Sequence, residues 1–127
     1  MDELVAAARD AQAKAYAPYS NFLVGAAVLS EGQVFTGVNV ENAAYPIGVC
    51  AERIAVGAAV TAGKRRISAV AVVGSSTEPT PPCGGCRQFI AEFGPDIVVI
   101  AETDDGRRSE WRIAELLPDA FGPTFLV

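Results

Sequence analysis

The fold of this chain is decided by one apolar stretch, ISAVAVV at residues 67–73. Its hydrophobic side chains occupy both sets of alternating positions, which indicates a central strand covered on both faces. Helices are predicted on either side of it in the sequence, at about residues 50–62 and 83–93. A second buried strand is predicted at residues 97–101. Strands covered on both faces, with helices between them, predict a sheet sandwiched between helical layers.

Working outward, the remaining segments complete the pattern. Apolar residues recur at helical spacing over residues 3–16, and Pro18 ends that helix. Strands follow at 22–29 and 34–40 as a hairpin, and a turn at 104–106 leads to a short strand at 109–112 and a last helix at 113–117. The order α-β-β-α-β-α-β-(β)-α predicts a three-layer α/β/α sandwich with a mixed β-sheet. We expect residues 1–127 to form a single domain.

Composition and charge narrow the classes of function. Half of the 127 residues are hydrophobic, which excludes a disordered chain. Ten Lys and Arg against fifteen Asp and Glu give a net charge of −5, without the basic footprint of a protein that binds nucleic acid polymers or a membrane surface. No signal core or apolar run of membrane-spanning length is visible. The expectation is a cytoplasmic protein with a small-molecule partner.

The chain has no histidine and three cysteines. The missing histidine excludes a Ser-His-Asp triad and every histidine-ligated metal site. The odd cysteine count in a chain without a secretory segment does not suit a disulfide framework. Any metal ion must therefore be held by cysteine, aspartate or glutamate side chains.

The cysteines stand in two short motifs, Cys50-Ala51-Glu52 and Cys83-Gly84-Gly85-Cys86, each at the predicted start of a helix. Two thiolates one turn apart and a third from another helix can hold one Zn²⁺ and leave its fourth tetrahedral position open, as in catalytic sites. Glu52 would lie near the ion and could move a proton. Arg53 could donate to the thiolate sulfurs, and the two helix N-termini would offset part of their charge.

Each of these residues also has a structural explanation. The cysteines could be inert buried thiols, and the second motif alone could be a redox pair. Glu52 suits the first turn of any helix. Outside a wider pattern, Phe22 and Phe121 could be core residues, and Asn39 and Glu41 could be polar residues of an edge strand that face water.

Such a wider pattern is present, because six blocks of the chain resemble the small, homotetrameric, zinc-dependent cytidine deaminases. The blocks extend over nearly the whole chain: PYSNF at 18–22, VGAA at 24–27, GVNVENA at 37–43, CAER at 50–53, PCGGCRQ at 82–88 and LLPDAFG at 116–122. The zinc ligands and the acidic residue follow the known pattern of the zinc deaminases. A lone Cys-x-x-Cys would be weak evidence, whereas several blocks in order and at matching spacing are strong evidence.

The resemblance implies a function and a role for each matching residue. It implies hydrolysis of cytidine and 2′-deoxycytidine to uridine and 2′-deoxyuridine with release of ammonia, and one Zn²⁺ per subunit. It implies that Cys50, Cys83 and Cys86 bind zinc and that Glu52 moves the proton. It also implies that Phe22 stacks on the base and that the Ala51 N–H donates to the base carbonyl. Asn39 and Glu41 would bind the ribose, and Phe121 would reach the site of a neighbouring subunit.

Other functions remain open at this stage. A deaminase of blasticidin-type aminonucleosides would use the same chemistry, and a non-catalytic module stabilised by zinc would use the same ligands. The acidic charge disfavours a deaminase of polynucleotides, and a thiol oxidoreductase would leave Cys50-Ala51-Glu52 unexplained. The loop Tyr45-Pro46-Ile47-Gly48-Val49 departs from the common family wording, and Tyr45 could lie at a subunit interface. The sequence assigns no role to Arg87.

Overall fold

A computed structural model describes residues 1–126 of the chain; Val127, the last residue of the expected domain, lies outside the described residues. Four α-helices and five strands follow in the predicted order. They are α1 (Asp2–Gln12), β1 (Val24–Ser30), β2 (Gln33–Val38), α2 (Ala51–Thr61), β3 (Ile67–Gly74), α3 (Gly84–Ala91), β4 (Val98–Glu102), β5 (Arg108–Arg112) and α4 (Ile113–Leu116). Short 3₁₀ helices lie at Tyr45–Ile47 and Pro123–Phe125.

The five strands form one mixed sheet in the order β2-β1-β3-β4-β5. β3 and β4 are parallel, and the other neighbours are antiparallel. The central position predicted for residues 67–73 is confirmed, since β3 lies between β1 and β4 and is buried along almost its whole length.

Helices cover both faces of the sheet, as predicted. On one face Leu4, Val5 and Ala8 of α1 pack against alanines of β1 and β3. On the other face Val56 of α2 and Ile90 of α3 belong to a second apolar cluster, which also includes residues of α4. The three-layer α/β/α sandwich is therefore confirmed, with α1 alone in one outer layer.

The first helix is shorter than the predicted 3–16 because its last residues are held elsewhere. The Tyr16 N–H donates to the Asn39 carbonyl at 3.0 Å, and the Glu41 N–H donates to the Tyr16 carbonyl at 2.9 Å. Extended backbone at Tyr16 cannot continue a helix, so α1 ends at Gln12. These contacts attach the start of the 17–23 loop to the segment that follows β2.

Gly37 lets α2 lie close to the sheet. A Cβ at Gly37 would stand 2.5 Å from the Ala55 nitrogen and 2.6 Å from the Ala51 oxygen, both backbone atoms of α2. The missing side chain thus sets the distance between the sheet and the first turn of α2, which carries Ala51 and Glu52.

No helix within residues 1–126 is long and apolar enough to span a membrane.

Candidate metal centre and active site

The three cysteines meet where two helices begin. Cys50 is the N-cap residue of α2, Cys83 is the N-cap residue of α3, and Cys86 lies in the first turn of α3. Their sulfur atoms all lie within 4.8 Å of one another, and the Cys50 and Cys83 sulfurs are 3.9 Å apart. Sulfur atoms that bind one tetrahedral Zn²⁺ at about 2.3 Å lie about 3.8 Å apart. The three thiols therefore fit a single zinc ion, with one position left open.

Arg53 lies one turn along α2 and faces the thiols. Its Nη2 donates to the Cys50 sulfur at 3.7 Å, and its Nε is buried without a hydrogen-bond partner among the described residues. The pKa of Cys50 is lowered, chiefly through its interaction with the neighbouring Cys86 thiol and further through Arg53. The pKa of Cys86 is raised by the same interaction with Cys50. A guanidinium beside a thiolate cluster favours the deprotonated form that metal binding requires.

Glu52 is a buried carboxyl group beside this cluster. Its residue is 5% exposed, and burial raises its pKa to about 7, with a further contribution from the charge of Cys50. A carboxyl group held near neutrality can both accept and donate a proton at neutral pH. Its position in the first turn of α2, two residues after Cys50, places it in the same cavity as the thiols.

One cavity of about 210 Å³ contains most of the predicted site. Among the residues predicted from the sequence, it is lined by Phe22, Asn39, Cys50, Ala51, Glu52 and Cys83. Pattern reasoning did not find the other lining residues, Val24, Val72, Thr80 and Pro81. Of these, only the proline-rich 79–82 segment carries a sequence signal, because it precedes the second cysteine motif.

Asn39 joins the end of the 17–23 loop, which carries Phe22, to the start of β1. Its Nδ2 donates to the Phe22 carbonyl at 2.8 Å, and its Oδ1 accepts from the Val24 N–H at 2.9 Å. The amide retains one N–H and one lone pair for a ligand. Asn39 thus positions the aromatic ring of the cavity as well as facing the cavity itself.

Glu41 lies in a different cavity, of about 320 Å³, which Tyr19, Ser20 and Tyr45 also line. Its Oε1 accepts from the backbone N–H groups of Tyr19 and Ser20 at 3.0 and 3.1 Å, and its Oε2 accepts from the Ser20 hydroxyl. The hydrogen bond from that hydroxyl is the main cause of the lowered pKa of Glu41. The structure therefore gives Glu41 a clear role in anchoring the 19–20 turn.

Phe121 is not brought to the cysteine cavity within the described chain. It is 56% exposed, lines a separate cavity of about 300 Å³ near α4, and stacks on Phe125 with ring centroids 5.6 Å apart. Tyr45 is likewise exposed, at 74%, and its ring contacts that of Tyr19. These aromatic rings face outward from the chain.

Comparison with known proteins gives one matching family model. The model of the cytidine and deoxycytidylate deaminase zinc-binding region matches residues 1–102, which include all three cysteines and Glu52.

Similar proteins match over nearly the whole chain. A cytidine deaminase of Sporosarcina psychrophila is 45% identical over 123 residues, which cover 95% of this chain and 90% of the relative. A cytidine deaminase of Halalkalibacterium halodurans is 46% identical over 120 residues, covering 93% and 91%. The crystal structure of cytidine deaminase from Burkholderia pseudomallei superposes with a TM-score of 0.91 at 48% identity, covering 94% of this chain and 98% of that one.

Proposed function

The chain belongs to the cytidine and deoxycytidylate deaminase zinc-binding family, and we propose that it hydrolyses cytidine and 2′-deoxycytidine to uridine and 2′-deoxyuridine, releasing ammonia. One observation carries this proposal: three cysteine sulfurs lie within 4.8 Å of one another, and two of these cysteines, Cys50 and Cys83, line a cavity together with the buried Glu52. We take residues 1–127 as one cytidine deaminase-like domain.

Cys50, Cys83 and Cys86 hold the zinc ion, one per subunit. The chemistry that Zn²⁺ supplies in a site of three protein ligands is Lewis-acid activation of water at neutral pH. Arg53 supports it by donating to the Cys50 sulfur, so that part of the negative charge of three thiolates is offset.

Glu52 moves the protons of the reaction. It accepts a proton from the attacking water and delivers it to ring N3, which makes C4 a better electrophile. As the C4–O bond forms and the C4–N bond breaks, Glu52 carries a second proton to the amino group, and ammonia leaves. One water is consumed for each ammonia released. The burial of Glu52 keeps this exchange away from bulk water.

The other cavity residues bind and orient the nucleoside. Phe22 stacks on the base, and the Ala51 N–H at the start of α2 donates to the base carbonyl. The free N–H and lone pair of Asn39 suit a ribose hydroxyl. Glu41 contacts the ribose from the neighbouring cavity while holding the 19–20 turn. A nucleotide would bring a phosphate group, which is usually bound by arginine or lysine. The described residues that line the Glu41 cavity include neither, so this end of the site suits the uncharged ribose of a nucleoside.

We propose that four copies assemble and share active sites, with Phe121 of one subunit closing the site of another. Three observations support this. The cavity of about 210 Å³ is smaller than the roughly 300 Å³ at which ligand cavities usually begin, so a single chain does not by itself enclose a nucleoside. Phe121 faces outward. Large apolar side chains at Tyr45, Ile47 and Phe125 are also exposed, at 74%, 64% and 69%.

The reaction is tested by the ultraviolet absorbance of cytidine mixed with zinc-loaded protein. Conversion to uridine is expected, and Glu52→Gln should lower kcat by about 10²- to 10⁴-fold with zinc content unchanged. Absence of conversion with zinc bound would contradict the cytidine reaction and direct the search to aminonucleosides of the blasticidin type. Wild-type turnover by Glu52→Gln would contradict the role of Glu52 as proton carrier. No turnover of any nucleoside by the zinc-loaded wild type, with zinc content and stability unchanged by Glu52→Gln, would instead identify a structural zinc module.

The shared site is tested by mixing two inactive variants. Unfolding and refolding Glu52→Gln together with Phe121→Ala should restore activity, because some mixed sites receive both intact residues from different subunits. If Phe121 acts only within its own subunit, no mixed site is complete and activity stays low. Light scattering of the wild-type protein should give the mass of four chains.

Cys50, Cys83 and Cys86 form no disulfide in the described chain, and the zinc-binding role proposed for them needs reduced cysteines, which a reducing compartment maintains. We therefore propose a cytoplasmic location, tested by cell fractionation.

A further inference from the structure

Arg87, the residue after the third cysteine, joins two parts of the chain that are far apart in sequence. Its Nε donates to the Pro82 carbonyl at 2.7 Å, and its Nη1 donates to the Leu116 carbonyl at 2.9 Å. Pro82 immediately precedes Cys83, whereas Leu116 is the last residue of α4. One guanidinium therefore holds the start of the metal-ligand motif and the start of the C-terminal segment together.

The first of these bonds acts on the peptide unit that leads into Cys83. The Pro82 carbonyl and the Cys83 nitrogen belong to one rigid plane, so fixing the carbonyl fixes the direction in which Cys83 leaves the loop. Pro82 itself is fully buried, and its ring restricts the backbone further. Cys83, by contrast, is exposed and receives no direct hydrogen bond from Arg53. Its backbone is thus placed by Arg87.

The second bond acts on the segment that carries Phe121. α4 has only four residues, and its last carbonyls have no partners within the helix. Arg87 satisfies one of them at Leu116, and the next residue of α3, Gln88, donates its Nε2 to the Phe121 carbonyl at 2.9 Å. Adjacent residues of the metal-ligand helix thus hold both ends of the 116–121 segment.

In the described chain, the Arg87 guanidinium pairs with backbone carbonyls and with no carboxylate. Among residues 1–126 it forms no salt bridge, although other arginine side chains make seven contacts with aspartate or glutamate carboxylates. A half-buried guanidinium with two backbone carbonyls as its partners is a rigid bidentate brace, because its planar donors are fixed relative to each other. A lysine carries all its donors on one flexible nitrogen and lacks the fixed, planar spacing of Nε and Nη1 that holds the two carbonyls relative to each other.

We propose that Arg87 is a positioning residue that couples the zinc ligand Cys83 to the segment bearing Phe121. This inference rests on the proposed function, in which Cys83 binds zinc and Phe121 completes a neighbouring site. Its loss weakens zinc retention and loosens residues 117–126 at the same time. Within residues 1–126 the one hydrogen bond of the Gln88 side chain goes to the Phe121 carbonyl, so Gln88 acts on the segment and not on Pro82.

The test compares Arg87→Met with Gln88→Met in the zinc-loaded, full-length protein. One measurement is the rate at which zinc is lost to a chromophoric chelator, and the other is amide hydrogen exchange over residues 117–126. Arg66→Met is the control for loss of a positive charge, since Arg66 is exposed and precedes β3 at the end away from the site. Neither measurement depends on turnover, so failure of the deaminase reaction is recorded separately by the cytidine assay.

Arg87→Met should release zinc about tenfold faster than wild type, as expected for loss of a group that orients a ligand, and should speed exchange over 117–126. Gln88→Met should speed exchange there while zinc release stays at the rate of the Arg66→Met control. Equal zinc release from the Arg87 and Gln88 variants would overturn the proposal. If Arg87→Met does not fold, Arg87→Lys decides: zinc release no faster than in Gln88→Met would overturn it equally.

Discussion

Replacing Gly37 with alanine should damage both the stability and the active site, although Gly37 touches no substrate. The new Cβ would stand 2.5 Å from the Ala55 nitrogen and 2.6 Å from the Ala51 oxygen. Ordinary contact begins near 3.4 Å, so the strand and helix must separate by about 0.9 Å locally. Both opposing atoms belong to the helix backbone and cannot rotate aside as a side chain would.

The expected cost follows from this rigidity. Overpacking in a well-packed interior costs about 1–3 kcal/mol, and contact with backbone places Gly37→Ala near the upper value. An unfolding entropy of about 2.1 cal/mol/K per residue, over 127 residues, converts about 3 kcal/mol into a Tm lower by about 11 °C. Because Ala51 adjoins Glu52, a shift approaching 1 Å should also lower kcat, by about 10- to 100-fold.

Gly57→Ala is the matched control, since it makes the same change within α2 where no atom lies within 4 Å of the new Cβ. It should raise stability by about 0.5–1 kcal/mol through helix propensity and leave kcat unchanged. Thermal unfolding by circular dichroism, at one protein concentration, and cytidine turnover would be measured on the wild type and both variants. A Gly37→Ala protein with the wild-type Tm and kcat would refute the argument. A lowered Tm with full kcat would show that β2, and not α2, absorbs the displacement.

Three further predictions concern residues around the cavity. Arg53→Gln should weaken zinc binding about tenfold, measured by chelator competition, because Cys50 loses its cationic partner; unchanged affinity would contradict this role. Asn39→Ala should cost about 2 kcal/mol by removing two backbone contacts and should raise KM more than it lowers kcat; a pure loss of kcat would argue against a positioning role. The pKa of Glu41 is lowered, so the stability that this carboxylate adds to the folded chain is complete above its ordinary pKa of 4.5 and is lost as the pH falls through the lowered pKa. NMR titration of the Glu41 carboxyl should give a pKa below 4.5, and Ser20→Ala should move that pKa upward; an unchanged pKa in the variant would contradict the role of the Ser20 hydroxyl.

Much of the fold was accessible from local pattern. The continuous apolar run at 67–73 and the turn at 104–106 each reflect the geometry of a few consecutive residues, and the elements they predict are present in the predicted order. Element ends were less accessible. The predicted helix over residues 3–16 ends early because the backbone of Tyr16 pairs with a segment more than twenty residues away.

The site divides in the same way. The sequence determined the residue types of the site: thiols in two motifs, one nearby carboxylate and one nearby arginine. A spacing of three residues also places Arg53 on the same helix face as Cys50, and Cys86 on the same face as Cys83. That Cys50 meets Cys83 depends on how α2 and α3 pack. The separation of Glu41 from the cysteine cavity depends equally on tertiary packing.

Taken by itself, the sequence determined the α/β/α class and the residue types of the candidate site, three thiols in two motifs with a carboxylate close to one of them, since these follow from local pattern and side-chain chemistry. Tertiary structure alone decided that Asn39 braces Phe22 and that Arg87 joins Pro82 to Leu116. The sequence does not show which side chain will donate a hydrogen bond to a given backbone carbonyl. Its partner is chosen only when distant segments are packed and every buried polar group must find a hydrogen bond.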